Sequence, residues 1–193
     1  MNHKYFSKRK GWYSIPIVSL AVVLLFLTSE NSEGAPISRE YTIKASLIMK
    51  FTDFITFPET RISGTDMPAY DLCLLGGNPF GSIFSQAKKE GILKKNIFTH
   101  ESVSDRALRK CDIIFLAGGD VSNLNRALKI LRDRPALIIA ESNGFADLGA
   151  GINFVVKNNK IKFEINRSAL KRKGIEVSSY LLNIAILVGG AAR

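Results

Sequence analysis

The sequence predicts an α/β domain in which a mostly parallel β-sheet is flanked by helices on both faces. Short apolar runs, of which DIIFLA at 112–117 and ALIIA at 136–140 are the clearest, alternate with stretches of helical periodicity. The 193-residue chain has a globular composition, with 46% hydrophobic and 23% charged residues. Continuous apolar strands separated by helices indicate a parallel sheet that is covered on both faces.

The first element is a predicted secretory signal over residues 1–34. Basic residues between positions 4 and 10 precede an apolar run at 15–27, which is the order found in signal peptides. The run is shorter than the roughly 20 residues that span a bilayer comfortably, and this favours cleavage over permanent anchoring. We therefore predict one exported domain, residues 35–193.

A long amphipathic helix follows, predicted over residues 38–57. Apolar residues at i, i+4, i+8 and i+11 place one stripe along its surface, and Pro58 ends it. The stripe consists of Ile43, Leu47, Phe51 and Phe54. Residues 61–69 are predicted to form a loop.

The middle of the chain is predicted to alternate between strands and helices. Each predicted strand is a short apolar run, and each predicted helix carries apolar residues on one side. The predicted strands are 70–75, 96–99, 112–117 and 136–140, and the predicted helices are 82–89, 105–109 and 122–132.

The C-terminal part is predicted to depart from the parallel pattern. Residues 151–156 and 160–165 are separated by Lys157-Asn158-Asn159, which indicates an antiparallel hairpin at the edge of the sheet. The apolar segment 177–192 is predicted to be a docked C-terminal helix, because its apolar positions are too few to span a membrane.

The two cysteines, Cys73 and Cys111, both lie in the exported part, where thiols become oxidised. One intramolecular disulfide is the simplest pairing, and a closed loop of this length is worth about 4 kcal/mol in the chain-entropy model. A structural bond is favoured over a redox-active pair, because there is no Cys-x-x-Cys spacing to activate a thiolate.

The chain is strongly basic, with a formal net charge of +10. Removal of the predicted signal leaves the remainder clearly basic. Nucleic acid is a poor candidate partner for an exported protein, so we predict none. An acidic protein surface or anionic lipid headgroups fit better, and a solvated basic surface without any partner is the simplest alternative.

A glycine turn at residues 76–81, GGNPFG, follows a predicted strand and precedes a predicted helix, as in nucleotide-binding proteins. Asn78 stands where a dinucleotide fingerprint needs its middle glycine, and Pro79 removes an N–H from the cradle. The phosphate-loop lysine is also missing, since Ser82 occupies its place. We therefore predict no nucleotide cofactor.

Other catalytic chemistry is equally unsupported by the sequence. The predicted mature chain has a single histidine, His100, and no His/Cys cluster with metal-ligand spacing. The carboxylates Asp112, Glu141, Asp147 and Glu164 lie in different segments. We predict no catalytic residue, no metal and no cofactor, so a binding or regulatory protein is favoured over an enzyme.

The residues also resemble a known family, the YfiR family of periplasmic proteins. The opening signature is KASLIMKFTDFITFP at 44–58, and the resemblance extends from about residue 43 to residue 188. The further matching stretches are 72–76 with 78–81, 111–115, 149–154, 163–166 and 177–182.

The resemblance implies a single α/β domain and a periplasmic repressor. Such a repressor binds the periplasmic sensor part of an inner-membrane diguanylate cyclase and restrains cyclic-di-GMP synthesis, biofilm formation and exopolysaccharide output. It implies a disulfide between Cys73 and Cys111, whereas the second disulfide of some members has no counterpart in 140–151. Family members can also form homodimers. The alternative is a periplasmic ligand-sensing subunit for another membrane partner, such as a histidine kinase.

A contact surface for the partner is predicted in the segment that joins the hairpin to the last helix. It comprises Glu164, Lys171, Arg172 and Ile175, together with Phe145 and Phe154 if these two are exposed. Packing within the sheet is the alternative role for Glu164 and for both phenylalanines.

Overall fold

A seven-stranded sheet organises the part of the chain that the computed structural model describes, residues 38–58 and 68–189. The described residues belong to one compact unit, Ile37–Arg193. The predicted signal, 1–34, lies outside them. No helix in the described ranges is both long enough and apolar enough to cross a bilayer.

The helices and strands are numbered here in chain order. The helices are α1 (Arg39–Phe54), α2 (Ile83–Lys89), α3 (Asp105–Leu108), α4 (Val121–Ile130), α5 (Arg167–Arg172) and α6 (Ser179–Ile184). The strands are β1 (Ile55–Thr56), β2 (Ala69–Leu75), β3 (Asn96–His100), β4 (Ile113–Leu116), β5 (Leu137–Ala140), β6 (Ile152–Lys157), β7 (Lys160–Asn166), β8 (Glu176–Val177) and β9 (Ile186–Val188).

The strand order of the large sheet is β3-β2-β4-β5-β6-β7-β9. All neighbouring strands are parallel except β6 and β7, which form the predicted antiparallel hairpin. The prediction of a mostly parallel sheet with helices is confirmed. The hairpin is not at the edge, however, because β9 pairs with β7 and takes the outermost position.

The sheet is covered on both faces, and each face has its own apolar core. Alternate residues of the central strands point to opposite faces, so Leu72 and Leu74 pack in one core and Cys73 and Leu75 in the other. Helices α1 and α2 contribute to the first core, and α3 and α4 contribute to the second. Burial on both faces explains why the strands are continuous apolar runs.

Helix α1 begins as predicted but ends earlier. Ser38 accepts a hydrogen bond from the backbone N–H of Tyr41 and caps the helix. The helix ends at Phe54, because Ile55 and Thr56 form β1 and pair with β8 in a separate two-stranded sheet. The predicted extension to residue 57 is therefore wrong.

The glycine turn after β2 is a tightly packed connection. Gly76 has a φ of +88°, and a Cβ at this position would lie 2.3 Å from the carbonyl oxygen of Ala117, so only glycine fits. Asn78 accepts from the backbone N–H of Phe80 at 2.9 Å and donates to Glu101 at 2.7 Å. Phe80 is fully buried. The turn thus serves to seat an aromatic ring in the first core.

A disulfide joins Cys73 of β2 to Cys111, which lies two residues before β4. The two Cα atoms are 6.0 Å apart, and both cysteines are buried in the second core. The bond therefore fixes β2 to its neighbouring strand β4.

Candidate partner-binding surface

The short helix α5 is held firmly at both ends. Asn166, itself buried, accepts from the backbone N–H of Ala169 at 2.8 Å and donates to the carbonyl of Ala146 at 2.7 Å. It therefore caps α5 and ties the helix to the segment before β6.

The other end of α5 is a Schellman motif. Gly174 has a φ of +65° and donates to the carbonyl of Lys171, and Ile175 donates to the carbonyl of Leu170, both at 3.0 Å. Leu170 and Ile175 lie in the first core. This ending turns the chain sharply into β8 and leaves Lys171 exposed in the last turn of the helix.

A cleft of about 720 Å³ opens between α5, β8 and Leu182 of α6. Its apolar lining comes from side chains that are buried or half-buried, and its charged lining comes from exposed side chains. The apolar residues are Leu170, Ile175, Val177 and Leu182, and the charged residues are Arg167, Lys171 and Glu176. The cleft therefore offers an apolar floor with a rim of two cations and one carboxylate. The excess of positive charge favours an apolar side chain carried by an acidic segment.

The structure divides the predicted contact residues among several places. Lys171 and Ile175 both line the cleft. Arg172 is exposed but lines a second cavity on another side of α5. Phe145 and Phe154 are 3% and 2% exposed, so they do not meet the condition of exposure and serve the core.

Glu164 belongs to the sheet and not to the cleft. It lies opposite Asn153 in the hairpin, and the side-chain amide of Asn153 donates to its carboxylate at 3.0 Å. Its place beside Ile186 of β9 makes it an internal residue of the sheet. The packing role, which was the alternative for Glu164, therefore agrees with its position.

The sequence prediction missed seven residues that line the cleft: Arg167, Ser168, Leu170, Gly174, Glu176, Val177 and Leu182. The i, i+4 spacing of Arg167 and Lys171 could have placed both cations on one side of a helix. The helix α5 itself was not predicted. Its sequence, RSALKR, has only two apolar residues, Ala169 and Leu170, which are too few to show a helical period.

A buried polar cluster lies at the carboxyl ends of β4 and β5. Lys44 is 2.6 Å from Glu141 and 2.5 Å from Glu40. Glu141 also accepts from the hydroxyl of Tyr41 at 3.1 Å and from the backbone N–H of Gly118 at 2.9 Å.

Burial, followed by the charge of the Glu141 carboxylate, raises the pKa of Tyr41 to about 12. Because the Lys44 ammonium and both Glu141 oxygens have partners within the protein, this cluster attaches α1 to the sheet. Among the described residues, no group of three or more His, Cys, Asp or Glu side chains is arranged to hold a metal ion.

Comparison with known proteins gives one family match. The family model described as YfiR/HmsC-like matches residues 41–186. No curated protein matches the chain in sequence.

Solved structures of other proteins also match the chain, and two of them are described here. A conserved domain protein from Vibrio cholerae has a TM-score of 0.50 and 12% identity, and the match covers 76% of this chain and 59% of that one. An ABC domain in complex with L-Trp from Streptococcus pneumoniae has a TM-score of 0.45 and 11% identity, with 62% and 56% covered. The chain thus spans less than two thirds of either protein. The Vibrio cholerae protein supports the α/β fold and nothing beyond it.

Proposed function

Because the chain belongs to the YfiR/HmsC-like family, we propose that it is a periplasmic negative regulator of diguanylate cyclase signalling. In this proposal it binds the periplasmic sensor part of an inner-membrane diguanylate cyclase and restrains cyclic-di-GMP synthesis, and with it biofilm and exopolysaccharide output. The family match over residues 41–186 is the observation that carries the proposal. The protein acts by binding and not as an enzyme.

The cleft beside α5 is the proposed contact site for the cyclase. Its apolar floor accepts one apolar side chain of the sensor, and Arg167 and Lys171 at its rim attract acidic residues around that side chain. The rigid ends of α5 support this role, since a pre-formed cleft loses little conformational entropy on binding.

Repression follows from a difference in affinity. If the regulator binds the inactive state of the cyclase more tightly than the active state, it shifts the cyclase population toward the inactive state. A release signal has to remove this difference, either at the cyclase or at the regulator.

The first test is cyclic-di-GMP in a strain that lacks the gene but keeps the cyclase. We expect the level to rise, and to fall again when the wild-type gene is restored. An unchanged level in the deletion strain contradicts the regulatory proposal.

The second test is a charge reversal at the cleft, Lys171→Glu, with Lys160→Glu as the matched control. Lys160 is also an exposed lysine, at the hairpin turn and outside the cleft. We expect Lys171→Glu to weaken binding of the purified sensor part about tenfold, or about 1.4 kcal/mol, and Lys160→Glu to bind normally. If both variants bind the sensor equally and cyclic-di-GMP rises in the deletion strain, the regulatory role stands and the contact site lies outside the cleft.

A further inference from the structure

A second cavity, of about 500 Å³, lies beside α5 and shares Leu170 with the cleft. It is bounded by the end of α4, the segment before β6, the start of β5 and the last turn of α5. Its volume is within the range of about 300–1,000 Å³ that is typical of small-molecule sites.

Three cations line this cavity: Arg132, Arg172 and Lys173. In the described part of the chain, neither Arg132 nor Arg172 has a carboxylate within 4.0 Å. Asp133 is the single acidic residue of the lining. The cavity therefore has an excess of positive charge that the protein does not neutralise by ion pairs.

Lys173 has a fixed position among these cations. Its ammonium donates to the carbonyl oxygens of Leu131 and Arg132, which directly follow α4, the latter at 2.8 Å. Burial lowers the pKa of Lys173, Asp133 opposes this lowering, and Arg172 adds to it. An anion beside Lys173 and Arg172 would relieve the repulsion between the two cations.

The rest of the lining is apolar or has no side chain. Leu128, Ile138 and Leu148 supply apolar side chains to the lining, and Leu148 is 56% exposed. Gly151 contributes only backbone atoms. A larger residue would not fit there, because its Cβ would lie 2.5 Å from the side chain of Leu170. An apolar wall next to cations without ion pairs is complementary to a ligand that has an apolar part and an anionic part.

We propose that this cavity binds a small amphipathic anion, namely a carboxylate on a short alkyl chain. The alkyl chain packs against Leu128, Ile138 and Leu148, and the carboxylate lies between Arg132 and Arg172. A guanidinium presents paired donors to a carboxylate, so two arginines favour this anion over a neutral headgroup. The proposal is independent of whether the protein restrains a cyclase.

The test is calorimetric titration of the protein, purified from periplasmic extract, with octanoate, 1-octanol and acetate. We expect saturable binding of octanoate, at least tenfold weaker binding of 1-octanol, and none of acetate. Octanoate binding is expected to weaken as salt is added, because exposed charges are screened. Equal affinity for octanoate and 1-octanol, or no heat with octanoate at millimolar concentration, overturns the proposal.

Matched variants locate the site. Arg172→Gln and Lys171→Gln remove neighbouring cations from the last turn of α5, but only Arg172 lines this cavity. We expect Arg172→Gln to weaken octanoate at least tenfold and Lys171→Gln to leave it unchanged, with equal thermal stability of both variants. A larger loss with Lys171→Gln places octanoate in the cleft and overturns the proposal.

Discussion

The cluster around Lys44 and the surroundings of α5 use positive charge in opposite ways. Lys44 is buried, and its ammonium bonds to Glu141 and lies next to Glu40. Lys171 and Arg172 are exposed in the last turn of α5, beside apolar cavities. The comparison separates a cation that forms ion pairs within the fold from cations that remain exposed and accessible to ligands.

The largest expected effect comes from breaking the buried pair with Lys44→Met. The substitution leaves the Glu141 carboxylate buried without its cation, so we expect a loss of about 3–5 kcal/mol in the free energy of unfolding. Urea denaturation measures the loss. The control is Lys50→Met on the same helix, whose side chain is 67% exposed, and we expect it to change stability by less than about 0.5 kcal/mol. Similar losses in both variants would contradict the comparison.

A smaller effect is expected at the end of α5, with Gly174→Ala. The φ of +65° is unfavourable for alanine, although the nearest atom to the added Cβ is 3.6 Å away, in Pro58. We therefore expect a loss of about 1–2 kcal/mol from backbone strain alone. Gly119→Ala is the control, because Gly119 has no positive φ and its nearest contact is 3.5 Å. A neutral Gly174→Ala would show that the turn is not fixed as described.

The smallest effect concerns pH and the tyrosine of the buried cluster. The folded-state pKa of Tyr41 is raised to about 12, whereas an unfolded tyrosine titrates near pH 10. A raised pKa means that the unfolded state loses its proton first. The stabilising contribution is therefore complete below about pH 10 and is lost as pH rises toward about 12.

Urea unfolding at several alkaline pH values tests this dependence. We expect the stability difference between wild type and Tyr41→Phe to shrink as pH rises above about 10. A difference that stays constant with pH would show that Tyr41 ionises equally in both states.

The strands of the large sheet could be predicted from the sequence because a strand that is buried on both faces has to be a continuous run of apolar residues. Strands β4 and β5, residues 113–116 and 137–140, are apolar and buried at every position. The single helix predicted over 177–192 is wrong, since the structure has α6 followed by β9. The pairing of β9 with β7 joins residues about twenty positions apart, and no local pattern reveals it.

The candidate site was less predictable, and its adjacent residues show why. Lys171 and Arg172 are neighbours in sequence, but successive residues of a helix point about 100° apart. They consequently line different cavities. Phe145 and Phe154 could not be separated from surface aromatics by sequence, because their burial depends on helices and strands that are distant in the chain.

Leu170 lines both cavities, so one buried side chain forms a shared partition between them. A ligand that moves the Leu170 side chain in one cavity also changes the shape of the other cavity. Any resulting coupling free energy is equal in both directions, whichever site is filled first.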